Sequence, residues 1–146
     1  MAKKPEPDIR IRSIKGAQKA DIRPLPNGAA IHVTRHFPVR GQASNLFEVG
    51  ATVTMPDGIR GRLIPVQPHA YRHGYTIDGG VIQSGDPISV YVRSHGMRSV
   101  VFEEGDVLAH LIFEHVPEMS VEIDVEAEEQ PERKSVRKDG TVAEED

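Results

Sequence analysis

Along residues 88–94 (ISVYVRS) apolar and polar side chains alternate strictly, with Ile88, Val90 and Val92 on one side and Ser89, Tyr91 and Arg93 on the other. Residues 120–126 (SVEIDVE) repeat the pattern, setting Val121, Ile123 and Val125 against Glu122, Asp124 and Glu126. A period of two predicts strands with one buried and one wet face. Further strands are predicted over 29–36, 46–54, 60–66, 75–78, 81–84, 99–102 and 107–116. Turn chemistry separates them: Pro38 and Gly41, Pro56-Asp57-Gly58, Gly85-Asp86-Pro87, His95-Gly96 and Glu104-Gly105-Asp106. Asp78-Gly79-Gly80 is a hairpin signal. No segment sustains a helical period over three turns. The pattern predicts an all-β domain over 28–125, a jelly roll or β-sandwich.

The run at 107–116 (VLAHLIFEHV) departs from alternation. Val107, Ala109, Leu111 and Phe113 need cover on one side, and Leu108 and Ile112 need it on the other. Such a strand lies either in the middle of a two-layer core or against a second subunit. The second option assigns Leu108, His110 and Ile112 to an interface between copies.

The flanks differ in character. Segment 1–27 carries four prolines and scattered hydrophobes, and reads as an extended basic arm in which Ile9, Ile11 and Ile14 can add to a sheet edge. Over 1–26 seven basic and three acidic side chains give +4, and over 126–146 eight acidic and four basic give −4. The latter segment has almost nothing to bury and reads as an acidic tail. A basic arm without interleaved aromatics gives no expectation of nucleic acid binding. The 146 residues suit one domain. No apolar stretch approaches the roughly 20 residues of a membrane span, and the N-terminus shows no apolar secretory region. Absence of cysteine excludes disulfides, thiolate metal sites and a cysteine nucleophile.

Seven histidines raise the question of a metal. His32 and His36 lie four apart on a predicted strand, where four residues span roughly 13 Å and the rings cannot share an ion. His69 and His73 fall in a proline-bounded loop with no third ligand in view, so no metal is expected. Glu103 with Glu104, and Asp57 with Asp86, sit in turns where solvated carboxylates are the default. Arg60 and Arg62 share one strand face, with Arg72 nearby, and read as a wet face or subunit contact in preference to an anion site. Gly79-Gly80 precedes no helix and is not a phosphate loop.

Four stretches carry a family resemblance. GAAIHVTR (28–35), PDGIRGRLIPVQPHA (56–70), RHGYTIDGGVIQSGDPISVYVRS (72–94) and GDVLAHLIFEHV (105–116) resemble, in order and spacing, the motifs of the trimeric dUTPases, whose β-fold is shared with dCTP deaminases. The resemblance runs from about 28 to 124. It implies a dUTPase-like jelly roll, a homo-oligomer and specifically a trimer, and, where a nucleotide site persists, a lining of Gln67, Tyr75, Gln83 and Arg93. The motif chemistry departs from the family position by position. His32 stands where the first motif has Asp, and Val66-Gln67 where the second has Arg-Ser. Gln83 stands where the third has its water-activating Asp, and Val107 and His110 where the fourth has Arg and Gln. The glycine-rich fifth motif has no counterpart, since Gly140 is the only glycine after Gly105. Aligning Asp78 with the catalytic Asp shortens the base-binding hairpin. The deaminase base falls at Tyr91 or a neighbour.

These losses lead to an expectation of no catalytic residues and no cofactor. The expected function is a non-enzymatic structural protein, a phage or viral capsid cement or decoration protein that clamps a major capsid or other structural protein with its tails. The alternative is a nucleotide-binding pseudoenzyme or divergent dUTP nucleotidohydrolase. The expected location is the virion or cytoplasm, without a signal peptide or membrane partner.

Overall fold

The computed structural model describes residues 8–16 and 19–125. Its four-stranded sheet runs β1 (Arg10–Ser13), β5 (Ser44–Thr54), β9 (Pro87–Ser94) and β7 (Tyr75–Asp78). A five-stranded sheet runs β2 (Ala20–Leu25), β3 (Gly28–Val33), β11 (Val107–His115), β6 (Ile59–Ile64) and β8 (Val81–Ile82). β4 (Phe37–Val39) pairs with β10 (Val100–Phe102), and all pairings are antiparallel. α1 (Gln67–His73) is the one helix among the described residues. The fold is the predicted all-β class.

Alternation decides which face each strand buries. On β9 Ile88, Val90 and Val92 are buried, and Ser89, Tyr91 and Arg93 are exposed. The inward residues of both sheets and of the β4–β10 ribbon form one core that includes Ile31, Phe47, Val49, Leu108, Leu111 and Phe102. Phe37 stands edge-on to Phe47, with ring centroids 5.1 Å apart. Tyr75 meets Phe102 in the same way at 5.3 Å.

β11 is the middle strand of its sheet, bonded to β3 on one side and β6 on the other. The register slips between Val107 and Ala109, and Leu108 and Ala109 are both fully buried. That irregularity accounts for much of the two-sided apolarity, because it lets neighbouring residues both be covered within the chain. Leu108 therefore belongs to the chain's own core. His110 and Ile112 stay half-exposed on the sheet's outer face.

Gly28 shows how closely β3 approaches β11. A Cβ built on it would lie 1.9 Å from the carbonyl oxygen of Leu111, which is backbone and cannot swing aside. Gly28→Ala should destabilise the fold by about 1–3 kcal/mol, as overpacking does. Gly96→Ala, with nothing within 4 Å of its Cβ, should be close to neutral. Urea midpoints of the two variants check this, and equal midpoints would refute it.

Four features differ from the sequence expectations. The predicted arm contributes strands to both sheets, since β1 pairs with β5 and β2 with β3. Residues 120–125 are not a strand, and Val121 and Ile123 are 82% and 78% exposed. Alternation offers a face to bury, but a strand also needs a partner strand, and this segment has none among the described residues. Residues 67–73, expected as loop, form α1: Pro68 suits its first turn, and Gly74 ends it in the left-handed region with φ 69°. Two turns are too short for a periodicity signal. β4 was hidden by Pro38, which the sheet tolerates in its two-stranded ribbon. The proposed tail at 126–146, with residues 1–7, 17 and 18, lies outside the described residues.

Candidate functional site

The turn after β8 carries Gln83. Asp86 closes it: the Gln83 amide donates to Asp86 Oδ2 at 3.0 Å, and the Asp86 amide donates back to the Gln83 carbonyl at 3.0 Å. The result is a tight turn from 83 to 86. Gln83 lines a groove of about 640 Å³ together with Asp57, Arg60, Pro117, Glu118 and Met119. Asp57 arrives on the β5–β6 turn and Glu118 on the segment leaving β11, so three distant parts of the sequence meet here.

Arg60 is engaged next door. Its Nε lies 3.0 Å from Glu114 Oε1, and Arg62 Nη2 reaches the same oxygen at 2.9 Å. The pairing follows from register, since Arg60 sits directly opposite Glu114 and Arg62 is two residues along the same face. The hydrogen bond from Arg60, with the nearby Arg62 charge, holds the Glu114 carboxyl below the ordinary carboxylate range despite some desolvation. Arg60 and Arg62 thus form a charged cross-strand cluster, as a wet sheet face predicts.

The other anticipated lining residues lie elsewhere. Tyr75 is buried, with its hydroxyl 2.8 Å from His69 Nδ1 and its ring on Phe102. Arg93 lies on the opposite, exposed face of that sheet, where its Nε donates to Asp78 Oδ2 at 2.9 Å. The hydroxyl of Thr76 donates to the same carboxylate at 3.4 Å and sits 2.8 Å from His95 Nε2. Asp78 is therefore held in a surface ion pair and does not line the Gln83 groove. Gln67 is exposed at the start of α1. Of the four residues, only Gln83 lines this groove, and Asp57 and Glu118 are its partners that sequence spacing did not single out together.

Burial of the Tyr75 phenol pushes its pKa up to about 12. The folded chain thus favours the neutral phenol, and its stability contribution is full below the unfolded value near 10. It is lost as pH rises toward 12, because the unfolded phenol ionises first. Ultraviolet titration should show one of the three tyrosines resisting ionisation until the protein unfolds. Simultaneous ionisation of all three in the folded state would contradict this.

The first and fourth motif positions also meet. His32 pairs with Val107 across β3 and β11, and His32 Nδ1 donates to the Gly105 carbonyl at 3.0 Å. The Asp106 carboxylate accepts from the Glu103 amide at 2.8 Å and so shapes its own turn. Among the described residues no three His, Asp or Glu side chains converge as a metal cage. No helix among the described residues is long and apolar enough to cross a membrane.

Two antiparallel sheets closing on one core, with a polar groove at the end of β8, define an all-β protein of the dUTPase-like jelly-roll class. The native EIAV dUTPase superposes with a TM-score of 0.65 at 17% identity, covering 82% of this chain and 98% of that one. A point mutant of the dUTPase from phage phi11 of S. aureus superposes at 0.66 and 14% identity, with the same coverage of 82% and 98%. The dUTPase family model matches residues 23–140, and the chain belongs to that family. Among curated proteins it is similar to the deoxyuridine 5'-triphosphate nucleotidohydrolase of Candida albicans, 24% identical over 128 residues that cover 86% of this chain and 80% of that protein. The enzyme of the same name from Candida glabrata is 22% identical over 128 residues, covering 86% and 88%.

These findings overturn the expectation of a non-enzymatic capsid cement or decoration protein. That reading took substitutions in the motifs as loss of function, whereas the chain's family and its named relatives point to nucleotide hydrolysis. Nothing in them points to a capsid partner.

Proposed function

We propose that the chain is a divergent dUTP nucleotidohydrolase that works as a homotrimer and cleaves dUTP slowly beside Gln83. The observation carrying the proposal is the position of Gln83. It matches the family's water-activating Asp by sequence, and it lines a groove that also holds Asp57 and Glu118. A glutamine amide can orient an attacking water through its carbonyl oxygen, as in GTPases, but it cannot take up the proton. Water attack on the α-phosphorus displaces pyrophosphate and leaves dUMP. The proton passes to solvent or to one of the two flanking carboxylates. Positioning remains and general-base assistance is weakened, so turnover is slow.

The trimer is part of the same proposal. The partly exposed His110 and Ile112 on the outer face of β11 are the residues from that strand placed to meet a second copy. Ile112→Asp should lower the assembly state, because a carboxylate there would be desolvated without a partner. Sedimentation of the wild-type chain should give three times the 16.1 kDa chain mass. A stable monomer at micromolar concentration would refute the trimer. The hydrolytic reading is tested by calorimetric titration with dUTP and by pyrophosphate release, each with and without Mg²⁺. Binding with slow release supports it, and failure to bind or to release pyrophosphate under either condition overturns it.

A further inference from the structure

The helix at α1 brings together two residues that no part of the hydrolytic reading uses. In a helix, residues four apart lie one above the other on one face. His69 and His73 are so placed, with ring centroids 4.4 Å apart and planes tilted by 56°. A metal at about 2.0–2.1 Å from one nitrogen of each ring needs those nitrogens about 3 Å apart. The exposed His73 ring can reach that separation by side-chain rotation.

His69 is already oriented. Its Nδ1 is engaged with the Tyr75 hydroxyl at 2.8 Å, and its ring packs against Phe102 with centroids 5.7 Å apart. Nε2 is left as the nitrogen for a ligand. Metal-binding histidines commonly have their second nitrogen held in this way, which fixes ring direction and tautomer. We propose that His69 and His73 form a two-imidazole site for a first-row transition-metal dication, with Zn²⁺, Ni²⁺ and Cu²⁺ as the fitting class and Mg²⁺ excluded by its preference for oxygen.

The surroundings agree with this assignment. Burial, then the neighbouring His73, lower the basicity of His69. Asp106 supplies the opposing negative charge and Arg72 a positive one. Among the described residues no third His, Asp or Glu joins the pair, so water completes the coordination. An open site of this kind binds more weakly than a four-ligand structural zinc site. The sequence pattern concealed it, because the same spacing in a loop fixes nothing.

Calorimetric titration of the full chain with Zn²⁺ alone, in nucleotide-free buffer, tests the site. The expected result is one equivalent bound with micromolar affinity, a raised melting temperature, and no competition from millimolar Mg²⁺. His73→Ala, at an exposed position that the fold does not need, should weaken binding about tenfold or more. His36→Gln removes a histidine that is paired with Glu103 and lies outside the site, and should leave binding unchanged. Wild-type affinity weaker than about 1 mM, unchanged affinity in His73→Ala, or loss of binding in His36→Gln would each overturn the proposal.

Discussion

Replacing Gln83 with Asp should raise the rate of pyrophosphate release from dUTP by on the order of 10²-fold, the lower range of what a positioned general base contributes. The wild-type amide can hold water but has no basic lone pair to accept its proton near neutral pH. A carboxylate at the same place does. It would share the groove with Asp57 and Glu118 and with the Arg60 cation. The turn should tolerate the change, because its two hydrogen bonds to residue 83 use that residue's backbone and the Asp86 carboxylate. Gln83→Glu keeps the original side-chain length and serves as the second variant. The measurement is kcat at saturating dUTP, with binding checked separately. If both carboxylate variants bind dUTP and neither accelerates release, Gln83 does not contact the attacking water and the assignment of this groove fails.

The largest expected effect on stability comes from Phe102→Ala, at about 3–5 kcal/mol. Phe102 is 0% exposed, and its ring lies 6.3 Å from Phe37, 5.3 Å from Tyr75 and 5.7 Å from His69, measured between centroids. It joins the β4–β10 ribbon to β7 and to α1, so its removal leaves a cavity where several elements meet. The edge-to-face contact with Tyr75 adds to the loss. Denaturant unfolding of wild type and variant gives the difference directly. A cost below about 1 kcal/mol would mean that the surrounding rings collapse into the space, and that the cluster does not tie these elements together.

Residues 88–94 were legible because each turn of the pleat answers one inside-or-outside question, and Ile88, Val90 and Val92 answer it consistently. The same logic failed at 120–125, where Val121 and Ile123 satisfy the pattern but the segment pairs with no described strand. Patterning reports what a segment can bury, and pairing depends on what the rest of the chain leaves open. α1 was illegible for a different reason: its cap at Gly74 and its Pro68 are local signals that a loop also carries. Gln83 was singled out through its place in a motif, and it lines the groove. Asp57 and Glu118 were not found beside it, because their neighbourhood exists only once β6, β8 and β11 lie side by side. Tyr75 faces the core and not the Gln83 groove, and an aromatic next to a glycine turn gives no sign in the sequence of which way its ring will face.

The position of β11 has a consequence for how the protein is made. The strand is central in its sheet, yet it begins at Val107 and is the last strand in the described chain. Its two neighbours, β3 and β6, are synthesised long before it and cannot hydrogen-bond to each other across the gap it will fill. As the chain leaves the ribosome N-terminus first, each presents an unsatisfied edge for the seconds needed to add the intervening residues. Such edges are the surfaces on which chains stick to one another. A ribosome stalled before residue 107 would therefore hold a chain unable to complete its core.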